Sequence, residues 1–153
     1  MGLLNYSTNI SAQRTAGEIQ AALAKHGARA IMIEYGDDGA AEALSFQVKT
    51  PQGDCGFRLP VAPDPVLKVL EQQRDAGKLR SHGVPVTREQ AAKVAWRIVK
   101  DWVEAQMALL ETEMVRMEEI FLPYLITDSG QTLYQVMAGK HFLLGRGEGG
   151  KSE

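Results

Sequence analysis

One stretch of this 153-residue chain matches a nucleotide-handling signature letter by letter. Gly145-Arg-Gly-Glu-Gly-Gly150-Lys151-Ser152 fits GxxxxGK[ST], in which backbone N–H groups cradle phosphates and the lysine meets them with its charge. That chemistry needs the loop to open a helix, and only Glu153 follows. Residues 145–153 are therefore expected to be a flexible Gly-rich tail, and nucleotide hydrolysis is not expected there. The three histidines, at 26, 82 and 141, stand singly, whereas a metal site draws two or more ligands onto one face. Asp37-Asp38 reads as a polar hairpin tip and Cys55 as a small inward-facing hydrophobe. No nucleophile–base pair or carboxylate pair has supporting context. The expectation is a protein that is not an enzyme, with no metal and no cofactor.

Charge is the richer signal. Residues 74–100 carry 7 basic and 2 acidic groups, while residues 101–119 carry 1 basic and 6 acidic ones, although the whole chain nets only −2. Arg74, Lys78 and Arg80 lead into this basic block, Arg88 opens the following helix, and Lys93, Arg97 and Lys100 recur at helical spacing. Such a stripe has the electrostatic footprint of a phosphate-backbone site, and Trp96 beside it suits base stacking. The competing reading of the stripe is a helix's ordinary solvated face.

Positioning these groups requires elements, and the periodicity supplies them. Thr15-Ala-Gly-Glu18 reads as a capping box opening a helix with Ile19, Ala22 and Leu23 inward, ended by His26-Gly27. The period then falls to two. Ile31, Ile33 and Tyr35 form one strand, and Gly36–Gly39 a hairpin turn. Leu44, Phe46 and Val48 form a second strand with Ser45, Gln47 and Lys49 on a wet face. After Thr50–Gly53, Cys55, Phe57 and Leu59 make a third. Two tight turns in succession predict an antiparallel meander. Asp64-Pro65 starts the next helix, with Val66, Leu67, Val69 and Leu70 inward.

Thr87-Arg-Glu-Gln90 is a second capping box, opening a helical pattern that runs without interruption to about Phe121. Its apolar positions step 91, 95, 98, 102, 105, 109, then slip by one residue to 110, 114, 117, 121. Thr132–Ala138 reads as a short helix with Leu133, Val136 and Met137 inward. The whole is expected to be one α+β domain over residues 1–144, with the tail at 145–153. A helix of roughly 50 Å exposes more apolar surface than the meander can cover. Homo-oligomerisation through Trp102, Met107, Leu110, Met114 and Met117 is therefore expected, with fold-back of residues 123–144 as the competing cover. Hydrophobic residues at 44% and charged ones at 24% exclude wholesale disorder. One cysteine, no secretory leader and no bilayer-length apolar run point to a reducing cytosol and no membrane.

Two stretches carry a resemblance: Ile31–Pro60, with Glu34–Gly39 (EYGDDG) and Phe57–Pro60 (FRLP), and Val94–Gln106, with AWRIVKDWVEAQ at its core. They resemble a family of small uncharacterised bacteriophage and prophage proteins, over about Tyr6 to Met137. The resemblance implies a viral or mobile-element origin and an intracellular role in the host cytoplasm, in DNA replication or recombination. At the level of fold, the meander followed by a helix is similar to the core of Redβ-like and other ring- or filament-forming single-strand annealing proteins. The expected function is non-catalytic binding of single-stranded DNA through the 74–100 block, promoting annealing. The alternative is a protein-interaction module that binds or inhibits a host protein, of anti-defence type.

Overall fold

The computed structural model describes residues 2–79 and 83–143. Arg80, His82 and the phosphate-loop match at 145–152 lie outside them. The order is α1 (Ala12–Lys25), β1 (Ala28–Tyr35), β2 (Ala41–Thr50), β3 (Gly53–Pro60), α2 (Pro63–Asp75), α3 (Arg88–Glu111), α4 (Met117–Ile120), a 3₁₀ turn (Leu122–Tyr124) and α5 (Leu133–Gly139). It is an α+β fold around a three-stranded antiparallel meander, in the order β1-β2-β3.

The register stacks the alternating apolar residues on one face. Ile31 lies opposite Phe46 and Ile33 opposite Leu44, while Phe46 also faces Phe57 and Leu44 faces Leu59. This face joins Ala16, Ile19 and Leu23 of α1 and Ala95, Trp96, Val103 and Met107 of α3 in the main core. A smaller core, of Leu70, Ala91 and Val94, fastens α2 to the opposite side of α3. The helix thus buries two faces, which is why its buried set is broader than one stripe. Ser45 is buried rather than wet, because it occupies the middle strand between Met32 and Arg58, whose long side chains flank it.

Three element boundaries differ from the expected ones, each for a local reason. The cap of α1 is Ser11, whose Oγ accepts from the Arg14 N–H at 3.1 Å. Thr15, one turn further on, is instead buried in the packed face. Helix α2 begins at Pro63, a proline already fit for the first helical position, which leaves Asp64 in the first turn. Most consequentially, α3 stops at Glu111. Thr112 caps it, Glu113 takes a left-handed backbone (φ 61°), and the chain turns back before α4. The one-residue slip in the apolar pattern marks this break.

Thr87 does cap α3, accepting from the Gln90 N–H at 3.1 Å. The Gln90 amide does not close a capping box. Buried, it donates to the carbonyls of Tyr6 and Thr8 at 3.1 and 2.9 Å, stitching the N-terminal segment to the helix. Thr132 and Gln135 form a complete capping box at α5.

The returning segment closes over the apolar seam. Phe121, wholly buried, sets its ring edge-on to Phe46 at 5.0 Å and to Trp102 at 5.5 Å. Leu125 bridges to Phe57, and the Ile126 N–H donates to the Gly56 carbonyl at 2.8 Å, covering part of the β3 edge. Met107 and Met117, expected at a subunit contact, are buried inside this chain. Trp102 and Leu110 are half-buried against the same core, and only Met114, 68% exposed, stands outside it.

Candidate binding cleft

Helices α1 and α3 run in the same direction. Gln90 meets the segment leading into α1, Glu18 meets Arg97, and His26 at the end of α1 meets Glu111 at the end of α3. Both N-termini therefore lie at one end of the molecule, beside the β1–β2 hairpin. A cleft of about 650 Å³ opens there, within the range of small-ligand sites. Its α1 wall includes Ser11, Gln13, Gly17 and Gln20. The hairpin supplies Tyr35, Asp38 and Ala41, and α3 supplies Arg88, Glu89, Ala92 and Lys93. Two helix N-termini add partial positive charge to this end.

The expected basic residues do not form one free stripe. Arg97, with its side chain only 13% exposed, gives its guanidinium to Glu18 at 2.6 Å. Lys100 is paired with Glu104 at 2.9 Å and Arg74 with Asp75 at 3.2 Å. Arg88 holds three carboxylates: Asp38 of the hairpin, Asp64 at 3.0 Å and Glu42 at 3.6 Å. Each of these cations already has its counter-charge from within the chain. Lys78, exposed near the end of α2, and Lys93, half-buried in the cleft wall, make no ion pair among the described residues.

Trp96 is also not where base stacking would need it. Its side chain is wholly buried, and its indole N–H donates to the Ala41 carbonyl at 3.3 Å. A ring enclosed on both faces is a core residue. The exposed aromatic at this end is Tyr35, 60% accessible and part of the cleft.

Electrostatics tie the hairpin tip to the helix. The Ala40 N–H, donating to Asp38 at 3.0 Å, and then the Arg88 charge hold the Asp38 carboxyl below its ordinary range, against the desolvation that opposes them. Arg88 in turn is raised, first by its bond to Asp64. One guanidinium holding carboxylates of the hairpin, β2 and α2 makes this cluster a clamp. Among the described residues no three His, Cys, Asp or Glu side chains converge as a metal site. Nor is any helix among them long and apolar enough to cross a membrane.

Sequence reasoning reached Arg88 and Lys93 but not the cleft. Its walls come from three segments well separated in the chain, α1, the β1–β2 hairpin and α3, and no local pattern announces their meeting. One signal was available: Gly17, a glycine in the interior of a helix. No protein-family model, curated protein or solved structure matches this chain.

Proposed function

We propose that this is a non-catalytic binding protein for an anionic, phosphate-bearing ligand, single-stranded nucleic acid, which it engages at the cleft rather than along the length of α3. The observation that carries this reading is Lys93: a half-buried lysine lining a cleft of about 650 Å³, with no carboxylate partner among the described residues. Its basic neighbours on the helix, Arg97 and Lys100, are already paired. Among the described residues, a strand tracking the 74–100 surface would gain Lys78 and Lys93 and would have to break ion pairs to gain more. The role is therefore recognition at one point, with a phosphate on Lys93. The resemblance to phage-borne proteins is in keeping with such a role and assigns no residue to it.

Fluorescence anisotropy of a labelled oligonucleotide at two salt concentrations tests it. Each phosphate contact on a single strand contributes about 0.7 to the slope of log affinity against log salt. Lys93→Gln is expected to weaken binding and lower the slope by about one such increment, while Arg97→Gln and Lys100→Gln leave the slope unchanged. Binding indifferent to Lys93→Gln would sink the reading. Should no oligonucleotide bind at all, the protein-interaction reading takes its place. What favours that second reading is the outer sheet face, where Met32 (57% exposed) and Ile126 border a shallow hollow of about 220 Å³.

A further inference from the structure

Gly17 sits in the interior of α1 without the positive φ that would call for a glycine. In such a place glycine weakens a helix relative to almost any other residue. No neighbour explains the choice: a Cβ added to Gly17 would meet nothing within 4 Å. Gly17 is exposed and lines the cleft, so a side chain added there would stand in open space, a slot at the cleft's edge.

The slot's walls describe what enters it. Ala16 and Gly17 on α1, Ala41 on the hairpin and Ala92 on α3 are all small, and Tyr35 offers an exposed ring beside them. These small positions, set among the longer side chains of Gln13, Gln20, Arg88 and Glu89 and next to an aromatic face, leave room for a flat ring. Gln13 and Gln20 each bring an amide that both donates and accepts, as the edge of a nucleobase requires. Lys93 supplies one unpaired positive charge.

We infer that the cleft seats a single nucleotide unit, its base lying in the slot that Gly17 keeps open beside Tyr35 and its phosphate on Lys93. The inference rests on the reading of Lys93 as the anion contact and adds what the remainder of the ligand is. The shared chemistry is a nucleoside 5′-monophosphate, met either free or as the terminus of a strand.

The test is a titration of the full chain, followed by amide chemical shifts and calorimetry, with four probes: a nucleoside monophosphate, the matching nucleoside, inorganic phosphate, and a 5′-phosphorylated pentanucleotide. The monophosphate is expected to perturb the amides of Gly17, Tyr35 and Lys93, and to bind at least tenfold tighter than nucleoside or phosphate alone. Equal affinity for monophosphate and pentanucleotide assigns the site to the free nucleotide, and tighter binding of the pentanucleotide assigns it to a strand terminus. Gly17→Leu fills the slot with a better helix former. It is expected to keep or raise the melting temperature while weakening the monophosphate at least tenfold. If Gly17→Leu binds as the native chain does while Lys93→Gln loses binding, the anion contact stands and the nucleotide slot is wrong. If no probe binds the native chain, both fall.

Discussion

Arg88 shows how much one side chain can organise. It stands at the first position of α3 and reaches the hairpin through Asp38, β2 through Glu42 and the first turn of α2 through Asp64. Exposed ion pairs are individually weak, so this knot contributes more to the placement of the hairpin tip than to the stability of the fold. Placement matters, because Asp38 and Tyr35 form one wall of the cleft. The pH dependence follows from the Asp38 carboxyl, held below its ordinary value by the Ala40 N–H and Arg88. A depressed folded value means that the clamp is fully present above the unfolded carboxyl range and is lost as pH falls through the folded value. The amide resonances of Gly39 and Ala40 are therefore expected to hold steady on mild acidification and to move only at a pH below the normal aspartate range. In Asp38→Asn that transition should vanish. The same transition persisting in the variant would show that another group drives it.

At the scale of elements, the end of α3 decides the shape of the C-terminal half. Thr112 and Glu113 turn the chain so that α4 and Phe121 come back over the sheet, and Glu113 does so with φ at 61°. A side chain in that region is strained where glycine is not. Glu113→Gly is therefore expected to stabilise the protein by about 1 kcal/mol, read from urea denaturation, with no change in the C-terminal contacts. A loss of stability would mean that the Glu113 side chain holds a contact worth more than the strain. The same turn explains what the sequence did and did not disclose. Period-two alternation at Ile31–Tyr35 and Leu44–Val48, and the cap at Thr87, are local signals, and the sheet and the start of α3 followed from them. The phase slip at Leu109-Leu110 was equally local, but helical propensity runs through it. Only the tertiary pull of Phe121 into the Phe46–Trp102 pocket makes a break preferable to a longer helix. The cleft was less legible still. Ser11, Gly17, Tyr35 and Lys93 have nothing in common in the sequence, and they line one cleft only because two helices start at the same end of the fold, beside the hairpin.

On the scale of the whole molecule, the segregation of charge along the chain is largely undone by folding. The basic block at 74–100 draws carboxylates from three other elements, through Glu18, Glu42 and Asp64, besides the hairpin's Asp38. Charges neutralised within the chain are not available to set the register between copies. The apolar seam is likewise occupied, since Phe121, Met117 and Tyr124 pack where a second subunit was expected. The main grounds for self-association, an uncovered seam and complementary blocks, are thus met internally. Light scattering at micromolar concentration is expected to give a particle near the chain mass of 16.8 kDa at both low and high salt. Met114→Ser, which changes the one expected contact residue that remains exposed, should leave that mass unchanged. A dimer that dissociates on Met114→Ser would restore the seam as an interface. A dimer that dissociates in salt would restore the charge blocks as its guide, because salt screens attraction between exposed charges and does not weaken an apolar seam in that way.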